Sequence, residues 1–88
     1  MASIRNLKKD INNVLGDIID AVLIWEALNP KEDNKEAEAI IDDAITTFDA
    51  LIARVNDTRV ENRPQHLKGV RADLETEARK LIDRVNKL

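Results

Sequence analysis

Residues 4–28 read IRNLKKDINNVLGDIIDAVLIWEAL. Apolar side chains recur in this stretch at steps of three and four residues, which is the period of an amphipathic α-helix and not the alternation of a strand. The stripe predicted to face the core comprises Ile4, Leu7, Ile11, Val14, Ile18, Ala21, Trp25 and Leu28, with Leu15, Ile19 and Val22 on one flank. Ser3 is expected as the N-cap, and Asn29-Pro30 should end the helix because proline disfavours a helical conformation in the residue before it.

Two further stretches show the same period. The second predicted helix begins after Asp33 or Asn34, since Asp33 and Glu36 have the spacing of a capping box. Its apolar stripe comprises Ala37, Ile40, Ile41, Ala44, Ile45, Phe48, Leu51, Ile52 and Val55. These positions fall in one broad arc, so this helix also has a face to bury.

The third predicted helix begins near Asn62. Asn62 and Gln65 again have capping-box spacing, and Pro64 is tolerated because a first-turn N–H has no helical partner. The apolar stripe here is narrower and contains one extra four-residue step, which argues against a simple left-handed supercoil along the whole helix. It comprises Leu67, Val70, Leu74, Ala78, Leu81, Val85 and Leu88.

A single domain over residues 1–88 follows, because a chain of this length is too short for two independent cores. Short connections make consecutive helices antiparallel neighbours. The predicted fold is an all-α, up-down-up antiparallel three-helix bundle with helices at about 4–28, 34–56 and 63–87. The alternative is a helical hairpin that completes its core by dimerising.

One six-residue segment of the second helix echoes a segment of the third. Residues 51–56 read LIARVN and residues 81–86 read LIDRVN. We interpret the echo as convergent use of a favourable helix end, with arginine near the negative pole of the helix and asparagine to terminate it.

Cysteine is absent, which excludes disulfides, thiolate metal sites and cysteine nucleophiles. The first residues, MASIR, lack the pattern of a signal peptide. The longest apolar run, at residues 21–25, is far shorter than the roughly 20 residues that span a membrane. We therefore expect a cytoplasmic protein.

The net charge of −3 is unevenly distributed. Residues 29–62 carry 4 basic and 9 acidic side chains, whereas residues 63–88 carry 7 basic and 4 acidic ones. The simplest interpretation is attraction between the second and third helices within one fold. The alternative is a polyanion bound by the third helix.

The chain shows no recognisable catalytic apparatus. The single histidine, His66, is preceded three residues earlier by arginine, so the Glu-x-x-His motif of bundle metal sites is missing, and we expect a solvated side chain in the first turn of the third helix. Gly16 and Gly69 lie inside predicted helices and outside any phosphate-binding pattern, and sequence alone does not say whether either marks close packing. We predict that the protein is not an enzyme and has no catalytic residue, metal, cofactor or small-molecule substrate.

Nucleic-acid binding is a weak alternative. The basic residues of the third helix are Lys68, Arg71 and Arg79 on one side and Lys80, Arg84 and Lys87 on the other. Acidic residues separate them, aromatic residues for base stacking are missing, and the whole chain is acidic. We expect a solvated helix surface.

The end of the first helix carries more apolar residues than one face can bury. Leu23 and Ile24 lie about 100° or more from the centre of the core stripe. Trp25 is nearby and belongs to the residue type most enriched at binding hot spots. We predict a non-enzymatic interaction or structural module that self-associates through Leu23, Ile24, Trp25 and Leu28. The alternative for the same surface is an unknown protein partner.

A second functional class is a small acidic inhibitor, such as an immunity protein or antitoxin, that binds a basic protein. Its candidate residues lie on the second helix opposite the apolar arc and comprise Glu38, Asp42, Asp43 and Asp49.

Three segments carry a resemblance to known proteins: IRNLKKDIN at 4–12, GDII at 16–19 and FDALI at 48–52. Together they resemble a family of short bacterial three-helix proteins that occur as stand-alone chains and have no assigned activity. The resemblance implies a stand-alone cytoplasmic bundle and supplies no binding residues.

Overall fold

A computed structural model describes residues 4–88. Within them lie three helices, α1 (Ile4–Leu28), α2 (Lys35–Asn56) and α3 (Arg63–Asn86). Each helix packs against the other two, which confirms the predicted all-α three-helix bundle. The predicted helix bounds agree to within one residue. The predicted N-cap, Ser3, lies outside the described residues.

The core is aliphatic, and no polar or charged side chain in residues 4–88 is fully buried. It is formed by Leu7, Ile11, Leu15, Ile18 and Val22 of α1, Ala37, Ile40, Ala44, Leu51 and Val55 of α2, and Val70, Leu74, Ala78 and Leu81 of α3. The stripes predicted for α2 and α3 are confirmed, except that Ile45 at the edge of the α2 arc is exposed.

The stripe predicted for α1 is wrong at two of its eight positions, Ala21 and Leu28. Leu15 and Val22, which we placed on the flank, are buried, whereas Ala21 and Leu28 are exposed. The buried positions of α1 advance mainly by four residues. On the helical wheel these buried positions share one arc of about 80°, and Ala21 and Leu28 lie about 80° and 100° from its centre.

Asparagines close α1 and open α3. The backbone N–H and the side-chain amide of Asn29 both donate to the carbonyl oxygen of Trp25, at 3.0 and 2.9 Å. At the start of α3, Asn62 Oδ1 accepts from the backbone N–H of Gln65 at 3.2 Å, and the two side chains also bond at 3.3 Å. The capping role predicted for Asn62 is therefore confirmed.

The capping box predicted for α2 is wrong. Asn34 occupies the N-cap position without a side-chain capping hydrogen bond. Asp33 Oδ1 instead accepts from the backbone N–H of Lys35 at 2.9 Å. Glu36 does not close a box because its carboxylate faces α3, where it pairs with Arg84.

Arginines link the helices across their polar edges. Arg84 of α3 pairs with two carboxylates of α2, Glu36 at 3.2 Å and Asp43 at 2.5 Å. Part of the charge difference between residues 29–62 and residues 63–88 is therefore compensated by ion pairs between α2 and α3. Two further bridges are Arg71–Asp10 between α3 and α1 at 3.0 Å and Arg54–Asp73 between α2 and α3 at 2.5 Å.

These contacts explain the echo between residues 51–56 and 81–86. Arg54 and Arg84 occupy the same place in the two segments, and each pairs with an acidic residue on the other helix. The leucine that starts each segment is buried. In both helices the shared segment therefore places a leucine in the core and an arginine where it can form an ion pair with the neighbouring helix.

Candidate protein-interaction surface

Three large aliphatic side chains are exposed at the end of α1. Leu23 is 50% exposed, Ile24 60% and Leu28 75%. Ala27 lies among them on the helix and is also exposed. We call Leu23, Ile24, Ala27 and Leu28 the α1 patch. Of the four residues predicted as interface candidates, the structure brings Leu23, Ile24 and Leu28 together on this open surface.

The end of α3 explains why Leu28 is uncovered. Ala21 lines the same hollow as Val85 and Asn86, which are close to the last residues of α3. Seven more residues of α1 follow Ala21, a length of about 10 Å at 1.5 Å per residue. The last turns of α1 therefore extend past the helical part of α3, and Leu28 has little beside it.

Trp25 is placed differently from the other three candidates. Its side chain is half-buried and packs against the core. Its carbonyl oxygen accepts both hydrogen bonds from Asn29. Trp25 therefore stabilises the helix end from the core side and lies beside the α1 patch more than within it.

Glu26 is the unusual polar residue of this region. Its side chain is half-buried, and one carboxylate oxygen, Oε1, is buried without a hydrogen-bond donor among the described residues. A buried acceptor without a donor costs free energy, because it has lost its hydrogen bonds to water and no protein donor replaces them. Sequence reasoning did not single out Glu26, because its position on the helical wheel alone does not show which oxygen is covered.

Two opposite charges flank the α1 patch. Asp20 lies one helical turn before it, and Lys31 lies three residues after Leu28, in the connection to α2. Both side chains are exposed, and neither forms an ion pair within residues 4–88. Along the chain the order is therefore acid, apolar surface, base.

The four acidic-face candidates do not act as one group. Glu38, Asp42 and Asp49 lie within about 40° of one another on α2, and all three are exposed. Asp43 points to α3 instead, where its hydrogen bond raises the pKa of Arg84 above the usual value. Burial opposes this effect, and the bond from Arg84 to Glu36 adds to it.

The basic residues of α3 are partly engaged within the bundle. Arg71 and Arg84 pair with other helices, and Lys80 pairs with Glu77 on its own helix at 3.4 Å. Lys68, Arg79 and Lys87 are exposed. Two of the six basic side chains weighed for nucleic-acid binding, Arg71 and Arg84, therefore already hold α3 to its neighbours.

His66 is not simply solvated, as we expected. It is half-buried, and its Nε2 lies 2.6 Å from the carbonyl oxygen of Arg54 in the last turn of α2. Because a carbonyl oxygen only accepts, Nε2 carries the hydrogen. The contact satisfies one of the carbonyl groups that a helix C-terminus leaves without a helical partner.

Within residues 4–88, no group of three or more histidine or carboxylate side chains is arranged to hold a metal ion. Two open hollows of about 300 and 380 Å³ lie side by side between α1 and α3 and share Val14 and Ile82. The larger is mostly aliphatic, whereas charged side chains make up half of the residues that line the smaller. In the described part of the chain, none of the helices combines the length and the apolar character needed to cross a membrane.

The fold and this surface define a small three-helix bundle with an apolar helix end open to solvent. No protein-family model matches the chain, and neither a curated protein nor a solved structure matches it. The resemblance to short bacterial helical proteins stays a prediction.

Proposed function

We propose that the protein is a non-enzymatic interaction module that associates with itself through the α1 patch. The observation that carries the proposal is the clustering of Leu23, Ile24 and Leu28, each at least half exposed, at one end of the bundle. Single exposed aliphatic residues are ordinary, whereas adjacent ones form a patch of the kind that marks binding surfaces. We place the protein in the cytoplasm, as the sequence predicts.

The rest of the aliphatic surface supports the choice of this end. The other exposed large hydrophobic side chains of the described residues, Ile45 and Ile82, are 48% and 44% exposed and lie on different helices. Each flanks a groove between helices. Neither has a comparably exposed large neighbour on its own helix, so neither makes a patch.

The test is the mass in solution. Light scattering at tens of micromolar should give a value well above the 10.0 kDa of one chain and should rise with concentration. Burying an isoleucine side chain contributes about 1.5–3 kcal/mol. Ile24→Ser, which changes both copies, should therefore weaken association more than tenfold.

Ile45→Ser is the matched control, because it removes a similarly exposed aliphatic side chain from another helix. It should leave the mass unchanged. A wild-type mass of one chain across the whole concentration range would end the proposal.

A second candidate is an acidic inhibitor of a basic protein. It is supported by Glu38, Asp42 and Asp49, which are exposed on one side of α2 and form no ion pair within residues 4–88. Salt discriminates between the two functions. A complex made by an acidic face weakens steeply from low to high salt, whereas an apolar contact responds little.

A further inference from the structure

We infer that two copies of the chain pair through the α1 patch about a two-fold axis, with their first helices antiparallel. The inference rests on the proposed function, to which it adds an orientation and a register. A two-fold pair uses the same surface on both copies and closes on itself, which is the commonest arrangement of soluble oligomers.

The order of charges around the α1 patch sets the orientation. Asp20 precedes the apolar residues and Lys31 follows them, and both are exposed and unpaired within residues 4–88. A second copy running in the opposite direction brings lysine to aspartate at both ends of the contact. A parallel copy would bring aspartate to aspartate and lysine to lysine, which is unfavourable.

The spacing of the residues sets the register. A two-fold axis passing between the positions of Trp25 and Glu26 brings residues with the same sum of residue numbers to the same height along the two helices. Ile24 then faces Ala27 of the other copy and Asp20 approaches Lys31, while Leu23 and Leu28, about 140° apart on the helical wheel, cover the two edges of the contact. The small side chain of Ala27 gives Ile24 of the other copy room to approach.

The polar residues further back on α1 limit the overlap. Asn13 and Asp17 are exposed on the same outer side of the helix, so a longer overlap would place aliphatic side chains of one copy against them. The contact therefore runs from Asp20 to Lys31, about 18 Å if measured at the rise of a helix. Stable interfaces bury about 800 Å² on each partner, and a contact of this length with three large side chains is smaller. The pair is a weak dimer that dissociates on dilution.

Exchange of the flanking charges tests the orientation. Asp20→Lys and Lys31→Asp, made singly, should each raise the dimer dissociation constant about tenfold, because each places like charges together at both ends of the contact. The double variant restores opposite charges and should return the constant to near the wild-type value. Asp49→Lys makes the same change of charge on α2 and should leave the constant unaltered.

Cross-linking gives a second readout, since the chain has no cysteine of its own. In the antiparallel pair, two Ala27→Cys residues lie about 5 Å apart along the axis and should form a disulfide under mild oxidation. Two Asn13→Cys residues lie roughly 38 Å apart and should not. A parallel pair in register would cross-link at both positions.

The outcomes separate this inference from the proposed function. If Ile24→Ser abolishes the dimer while the charge variants behave like wild type, or if Asn13→Cys cross-links as well as Ala27→Cys, the antiparallel register is wrong and self-association stands. If the wild-type chain does not associate, both are wrong. Rescue by the double variant together with cross-linking at position 27 alone supports the two-fold pair.

Discussion

His66 Nε2 lies 2.6 Å from the carbonyl oxygen of Arg54, so the first turn of α3 is bonded to the last turn of α2 across the six-residue connection. The same carbonyl also accepts from the backbone N–H of Asp57 at 3.3 Å. The chain's single histidine is therefore a structural clamp at one end of the bundle.

Loss of this clamp should be measurable. His66→Ala leaves the carbonyl oxygen of Arg54 with a weaker set of donors and should lower the free energy of unfolding by about 1–2 kcal/mol in urea titrations. His66→Gln keeps an N–H donor at the end of the side chain and should lose less. Equal losses for the two variants would show that packing of the ring matters and the hydrogen bond does not.

Arg84 should contribute more to stability than other exposed cations of α3. Arg84→Met removes its pairs with Glu36 and Asp43 and should cost about 1 kcal/mol, a modest figure because both carboxylates are more than half exposed to solvent. Arg79→Met serves as the control, since Arg79 is exposed on the same helix without a described ion pair. The difference between the variants should shrink in about 1 M salt, where exposed charges are screened. If the difference in stability between the two variants does not change with salt, packing of the aliphatic part of Arg84, and not its charge, is the cause.

Gly16 is not required by the fold. A Cβ built at this position meets nothing within 4 Å, and at Gly69 it meets only the Arg54 guanidinium at 4.0 Å. Gly16→Ala should therefore stabilise the protein by about 0.5–1 kcal/mol, the difference in helix propensity. Thermal unfolding should show a rise of about 2–8 °C for a chain of this size. A fall in the midpoint would mean that something in solution packs closely against the glycine.

Glu26 should be replaceable without loss of stability. Glu26→Met keeps the length of the side chain and removes the buried oxygen that lacks a donor, so we expect a stabilisation of up to about 1 kcal/mol. Glu38→Met, on the exposed side of α2, should change little. Destabilisation by Glu26→Met would show that the carboxylate has a partner in solution.

Acid should weaken the end of α2 through Asp57. The backbone N–H of Arg59 donates to Asp57 Oδ1 at 3.0 Å, and this bond is the main reason that the pKa of Asp57 is lowered, partial desolvation acting against it. The ionised carboxylate thus adds stability above its ordinary pKa and loses it as the pH falls through the lowered value. Asp57→Asn should be less stable than wild type near neutral pH, and the difference should shrink as the pH falls below the ordinary pKa of an aspartate. A gap that persists in acid would exclude the charge as its cause.

The helices and most of the core followed from the sequence because apolar spacing and breaks at Asn29-Pro30 and Asn62 are local signals. The failures were of another kind. Leu28 fits the spacing of the α1 stripe, yet it lies past the helical part of α3, and no pattern within α1 shows where α3 ends. Glu36 likewise fitted a capping box, but Arg84, 48 residues away, competes for its carboxylate.

The candidate surface was predictable in part for the same reason. Leu23 and Ile24 lie so far from the core side of α1 that helix geometry alone indicated their exposure, and the structure places both in the open. The buried oxygen of Glu26 and the hydrogen bond of His66 depend on neighbouring helices. Such features need the packed structure, since one helical wheel describes one helix only.

In the described part of the chain, each ion pair that joins two helices uses an arginine: Arg54, Arg71 or Arg84. A guanidinium keeps its charge at any pH at which proteins are handled, whereas a lysine would lose its charge in alkali. The ion pairs between helices therefore keep their positive charge in alkali. Only acid, by protonating a carboxylate, removes a charge from them. Because the cations are arginines, the contribution of these ion pairs to the stability of the bundle should persist at high pH and be lost only at low pH.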